Sequence, residues 1–152
     1  MRKFILTSLF ILFQANSTFA FVFDKSFILQ KDTNLMVVLL YDDASDGCWT
    51  NLLESKQFAE DKLKLRGVNI SSDPDIVLAI SEKRYKLGIH VHARRFSGYC
   101  SGNVSIFIEG YALINGKLHK ASIYEEQYLT IQLKNLNNDV LDSISKAFQV
   151  LK

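Results

Sequence analysis

Proline is almost missing from this chain: Pro74 is the only one in 152 residues. With no proline-rich tract, low-complexity segment or internal repeat, the chain has neither a stiff linker nor a repeat architecture. Cysteine is scarce too, with only Cys48 and Cys100. That excludes a disulfide-dense scaffold, and their spacing is not the Cys-x-x-Cys form of redox pairs. Serine nucleophile elbows, phosphate-binding glycine loops and the metalloprotease histidine motif are all absent. Nothing in the sequence calls for a cofactor. The longest early apolar run, Phe4 to Phe13, is broken by Gln14 and Asn16. It falls short of the roughly 20 residues that a membrane span needs.

What is present begins with that early segment. Arg2 and Lys3 precede the apolar run, and Ser17-Thr18-Phe19-Ala20 supplies a small-residue exit. This is the layout of a secretory signal peptide, residues 1–20, cleaved after Ala20. No cysteine follows the cut, so no lipid attachment or stable membrane anchor is expected of the exported domain, residues 21–152. Removing two basic residues lowers Lys+Arg from 18 to 16, level with the 16 acidic residues. A neutral exported chain lacks the basic footprint of a nucleic-acid or anionic-lipid binder. In an oxidising compartment, Cys48 and Cys100 are expected to pair as a structural disulfide.

Along the chain, residues 21–31 read as a short strand or an arm. Leu35 to Tyr41 is a continuous apolar run, the mark of a strand covered on both faces. Asp42, Asp43 and Asp46 follow as an acidic turn, suited to the opening of a helix. A helix is expected from near Gly47 to near Gly67, with Cys48 and Trp49 in its first turn. Trp49, Leu52, Leu53, Ala59 and Leu63 fall on its apolar face. Phe58 and Leu65 fit that face less well and allow a kink around residues 55–57. Val68 to Pro74 reads as loop and Ile76 to Ile80 as a second buried strand, which would make a strand–helix–strand crossover. Leu87, Ile89, Val91 and Ala93 then alternate with Lys86, His90, His92 and Arg94, as in a strand with one wet face. Residues 97–102 read as a loop carrying Cys100 toward the first helix.

Asn115-Gly116 is the sharpest local signal, a two-residue hairpin turn between residues 103–114 and 117–126. Counting back from it pairs Gly110 with Ala121 and Ile108 with Ile123 on one face. The other face then pairs Tyr111 with Lys120, Glu109 with Ser122 and Phe107 with Tyr124. Val104, Ile106 and Ile108 mark the core side. Phe107, Tyr111 and Tyr124 load the opposite side with aromatics, a candidate partner surface. Residues 21–33 folding back over that face is the structural alternative. A final helix from about Asn138 to Leu151 places Val140, Leu141, Ile144, Ala147, Phe148 and Leu151 on one stripe, with Asn137 or Asn138 as its cap. The expected fold is an α+β two-layer sandwich. It has a mixed sheet of about four strands, two helices on one face, and the order β-α-β-β-β-α.

Two further motifs bear on chemistry. His90 and His92 would point the same way from a strand and could chelate one ion. A third ligand would be His119 or an aspartate from residues 42–46. Two solvated histidines on a wet face are the simpler reading. Asn69-Ile70-Ser71 and Asn103-Val104-Ser105 match the glycosylation acceptor pattern, relevant only on a eukaryotic secretory route.

Phe58-Ala59-Glu60-Asp61-Lys62-Leu63, then Gly67-Val68, then Asp75-Ile76-Val77, followed by a hairpin and a closing helix, resembles a group of small bacterial envelope domains. The group includes the curli-secretion lipoprotein and the penicillin-binding-protein activator lipoproteins. The resemblance covers about two thirds of the exported chain by pattern. This sequence departs from it in lacking the lipid-attachment cysteine and in adding Cys48 and Cys100. The resemblance implies a binding or assembly role and supplies no catalytic residues. The expected function is thus an exported, non-catalytic binding or assembly protein of the bacterial envelope, periplasmic or secreted, with a protein partner. The alternative is a small secreted metal-binding protein or metal-dependent hydrolase built on His90 and His92.

Overall fold

The computed structural model describes residues 35–73 and 84–151. The signal segment, the arm at 21–31 and the strand expected at 76–80 lie outside the described residues. Among the described residues, five strands form one mixed sheet in the order β2-β1-β3-β4-β5. They are β1 (Leu35–Ala44), β2 (Asn69–Ile70), β3 (Arg84–Phe96), β4 (Tyr99–Ile114) and β5 (Lys117–Gln132). β1 runs parallel to β2 and β3, and the remaining pairs are antiparallel. Helices α1 (Leu52–Lys64) and α2 (Asn137–Val150) pack together on one face. The α+β class and the two-helix layer match the sequence reading. The sheet has one strand more, because Asn69–Ile70 pairs with β1 where a loop was expected.

The core follows from the two periods. On β3, Leu87, Ile89, Val91 and Ala93 are fully buried, and Val104, Ile106 and Ile108 meet them from β4. The helices cover this layer with Ala59 and Leu63 from α1, and Val140, Ile144, Ala147 and Phe148 from α2. Each large side chain so buried contributes about 1.5–3 kcal/mol. Leu141, expected on the α2 stripe, is only half-buried, and Ser143 is buried in the same turn.

The first helix starts later than expected. Asp46 and Gly47 both hold positive φ (55° and 70°), which no helical turn permits. The first helical bond joins the Ser55 amide to the Asn51 carbonyl at 2.9 Å. Cys48 and Trp49 therefore precede α1. Asp42 and Asp43 belong to β1, whose pairing with β3 runs on to Ala44. Leu53 is 84% exposed, while Ser55, Ala59 and Leu63 form the buried stripe. Leu53 lies roughly 120° round the helix from the middle of that stripe. The helix is continuous through residues 55–57.

Gly67 terminates α1 as expected. Its φ of 77° permits paired bonds from the Gly67 amide to the Lys64 carbonyl and from the Val68 amide to the Leu63 carbonyl. Buried Val68 and Leu63 complete this glycine-ended cap. Asn137 does not cap α2. Its side chain instead accepts from the Thr50 amide at 3.0 Å and donates to the Thr50 hydroxyl at 2.8 Å. The Leu136 amide likewise donates to the Cys48 carbonyl at 2.7 Å, so the start of α2 clasps the segment before α1.

The hairpin turns hold, but one register does not. Asn115 and Gly116 both take positive φ and join β4 to β5 as expected. A second turn, Ser97-Gly98, does the same between β3 and β4, so Cys100 sits on a strand, paired with Arg95, and not in a loop. Between Ile108 and Glu109 the β4–β5 register shifts. Glu109 still faces Ser122, but Ile108 faces Tyr124 and Phe107 faces Glu125. Ile123 is the extra residue of a bulge in β5. Side chains alternate with a period of two, so one added residue moves Tyr124 to the helix side. There it is 9% exposed, packed in the core.

Candidate functional site

Cys48 and Cys100 form a disulfide, with Cα atoms 5.5 Å apart and both residues fully buried. Arg95, beside Cys100 in register, holds the neighbouring loops together. Its guanidinium donates to the carbonyls of Asp46 (3.1 Å), Gly98 (3.3 Å) and Lys134 (2.7 Å). One cation thus closes the turn after β1, the β3–β4 hairpin and the segment before α2 around the disulfide.

The face opposite the helices carries the chemistry. Tyr41 pairs with His90, Phe107 with Gly88, and Lys86 with Glu109. These registers bring Tyr41, Lys86, Phe107 and Glu109 into one cluster across three strands. The Tyr41 and Phe107 rings lie 5.8 Å apart, and the Lys86 ammonium sits 5.4 Å from the centroid of each. Lys86 also donates to the Tyr41 hydroxyl at 3.0 Å and ion-pairs with Glu109. Lys120 reaches the same Glu109 oxygen at 3.0 Å. A glycine makes the arrangement fit. A Cβ on residue 88 would come within 2.1 Å of Phe107 Cζ, so the ring lies directly on the β3 backbone.

The electrostatics keep both members of the Lys86–Glu109 pair charged. Burial alone would lower the Lys86 pKa, but hydrogen bonds to Glu109 and Tyr41 outweigh it and hold the ammonium above its ordinary value. Burial would raise Glu109, yet the bonds from Lys86 and Lys120 keep it below the usual glutamate value. An amine nucleophile requires the opposite shift, a lysine lowered toward neutrality. Lys86 is instead a fixed charge between two rings.

Nearby, His90 Nε2 lies 2.6 Å from Asp43 Oδ2. That hydrogen bond, more than the charges of His90, His92 and Arg94, lowers the Asp43 pKa. Ser105 stands opposite His90 in register, but no hydrogen bond joins them, so no nucleophile–base pair is formed. His90 and His92 share this face, and His92 pairs with Asp43 in the β1–β3 ladder. His119 does not approach them. It faces Ala112, seven residues along β4 from Ser105, roughly 23 Å at strand rise. Among the described residues, no group of three or more His, Cys, Asp or Glu side chains is arranged to hold a metal.

Of the three aromatics read as a partner surface, Phe107 and Tyr111 stay on this open face. Tyr124 does not. It lies on the helix side, where burial first and the Glu126 charge second push its pKa up to about 12. Its neighbour Tyr128 donates to Glu126 at 2.8 Å. Tyr41, Lys86 and Glu109 were missed from the sequence. Tyr41 and Phe107 are 66 positions apart and meet only because β3 lies between their strands. The one local hint was Gly88, an otherwise unfavourable residue in the middle of a strand pattern.

No family model matches the sequence, and no curated protein matches it. Solved structures of similar shape include a point variant of the PelC dodecamer from Paraburkholderia phytofirmans. That chain is 16% identical, the match covers 82% of this chain and 91% of that one, and the TM-score is 0.48. The PelC dodecamer from the same organism is 15% identical over 82% and 92% of the two chains, with a TM-score of 0.46. A hypothetical protein from Chlamydia trachomatis is 10% identical over 66% and 72%, with a TM-score of 0.38. They assign no family. The architecture therefore rests on this chain's own packing, and none of the three carries the name of the envelope group that the sequence resembles. Among the described residues, no helix is long and apolar enough to cross a membrane.

Proposed function

We propose that this chain is an exported, non-catalytic binding or assembly protein of the bacterial envelope, acting in the periplasm or outside the cell. The observation that carries the reading is the fully buried Cys48–Cys100 disulfide. A structural disulfide of this kind belongs to oxidising compartments. The signal-like layout of residues 1–20 and the resemblance to envelope binding domains point the same way.

The partner surface in this reading is the open sheet face around Tyr41, Phe107 and Tyr111, with Lys86 and Glu109 between the strands. Aromatic rings beside a satisfied ion pair give contact area at low entropy cost, the composition of binding hot spots. The partner is a protein of the envelope or cell exterior. Fractionation of cells expressing the full chain, followed by capture from envelope extract with the oxidised and reduced protein in parallel, tests this. Recovery in the exported fraction, with a partner retained by the oxidised form and lost on Tyr41→Ser or Tyr111→Ser, is the expected result. Retention of the full-length chain in the cytoplasm with free thiols would overturn the proposal.

A further inference from the structure

We propose that two copies of this chain associate through the outer edge of β5, antiparallel to each other about a two-fold axis at Thr130. This inference is independent of the open-face partner surface.

β5 is an outer strand of the sheet among the described residues, 16 residues long, with β4 on its inner side only. Such a strand presents unpaired backbone donors and acceptors. Proteins normally guard it with charge, proline or a covering element. The stretch from Gln127 to Leu133, Gln-Tyr-Leu-Thr-Ile-Gln-Leu, has no charge and no proline. Leu129 is 92% exposed, Ile131 67% and Leu133 66%. The nearest element, α2, is tied to the edge at Gln132, whose side-chain amide donates to the Asp139 carboxylate at 2.9 Å, and leaves the rest of it open. Between Gln127–Gln132 and the Asp139, Asp142 and Lys146 side of α2 runs an open groove of about 560 Å³.

The occupant follows from the sequence of the edge. Turned antiparallel about Thr130, the strand matches its own copy. Leu129 faces Ile131, Tyr128 faces Gln132, and Glu126 faces Lys134 just past the strand end. The apolar pair lies on one face of the joined sheet, and the opposite charges pair across the axis, as cross-strand pairing favours. A shift of the axis to Leu129 sets Glu125 against Leu133. A shift to Ile131 sets Lys134 against Tyr128 and leaves Glu126 without an opposite charge. Thr130 adds an independent reason. Its hydroxyl oxygen is buried and has no hydrogen-bond partner among the described residues. On the axis, a change of χ1 rotamer turns it from this buried position toward the hydroxyl of its own copy, one of the recognised cross-strand pairs.

The test uses the purified chain with the Cys48–Cys100 disulfide formed. Sedimentation velocity across the micromolar to millimolar range is expected to give a species of twice the chain mass. Leu129→Lys with Ile131→Lys is expected to halve that mass and to match the melting temperature of the wild type at dilutions where both are monomeric. In the pair Thr130→Cys and Leu129→Cys, mild oxidation is expected to cross-link the first as a disulfide dimer and not the second. Only position 130 meets itself within disulfide reach. A chain that stays monomeric throughout the range overturns the proposal. So does a dimer indifferent to the lysine pair, or one cross-linked through position 129 and not through 130.

Discussion

The far end of the Phe107 ring lies against the backbone of Gly88, with no room between them for a methyl group. This contact seats the aromatic–lysine cluster on the sheet. Gly88→Ala is therefore expected to push the ring away and destabilise the fold by about 1–3 kcal/mol, the range for overpacking a filled site. Thermal denaturation measures it. An unchanged melting temperature would show that Phe107 does not rest on β3.

Tyr124 and Tyr111 separate the two faces of the β4–β5 hairpin. Tyr124→Ser opens a cavity beneath the helices and is expected to cost about 3–5 kcal/mol. Tyr111→Ser, on the open face, is expected to cost well under 1 kcal/mol, as for surface positions. Equal losses at the two sites would mean that the bulge at Ile123 is misplaced.

The Lys86–Glu109 pair gives stability a defined pH dependence. The folded pKa of Glu109 is depressed, so its contribution is present above the ordinary value near 4.5 and fades as pH falls through the lowered folded value. The folded pKa of Lys86 is raised, so its contribution is present below 10.5 and is lost as pH climbs through the raised value. Melting temperatures of wild type and Glu109→Gln are expected to converge on the acid side. A Glu109→Gln difference that grows with acidity would contradict this assignment.

Removing the disulfide is expected to be costly. It closes a loop with a sequence separation of 52, worth about 4 kcal/mol on the chain-entropy account. Cys48→Ser with Cys100→Ser should lower the denaturant midpoint accordingly and raise the m-value, because the unfolded chain without the cross-link exposes more surface.

Arg95 is expected to matter beyond its charge. Arg95→Ala leaves the carbonyls of Asp46, Gly98 and Lys134 without their shared donor. These bonds are solvent-exposed, so water takes over the freed carbonyls and the loss is about 0.5–1.5 kcal/mol, the net range for a hydrogen bond. Amide exchange should speed up first around residues 45–50 and 133–136, where the guanidinium holds the loops. Faster exchange confined to β3 would argue for a purely local effect.

The sequence by itself determined whatever depends on neighbours in the chain. The alternation at 87–94 set the face of β3, the 3.6-residue period set the stripe of α2, and Asn115-Gly116 set the hairpin. Gly67 ended α1, and two cysteines left one disulfide to make. These are local signals because helix and strand periods, turn dihedrals and caps are written within a few residues. Only the tertiary structure decided the start of α1, the side of Tyr124 and the cluster at Tyr41. Cys48 and Trp49 stay out of the helix because Leu136 and Asn137, nearly ninety residues on, hydrogen-bond their segment. Tyr124 faces the helices because the β4 partner at Ile108 takes it in place of Ile123. A strand's period of two makes that exchange decisive, since one unpaired residue turns every later side chain over. Tyr41 reaches Phe107 only across β3, and strand order is set by burial of the whole sheet, which no single segment of the chain encodes.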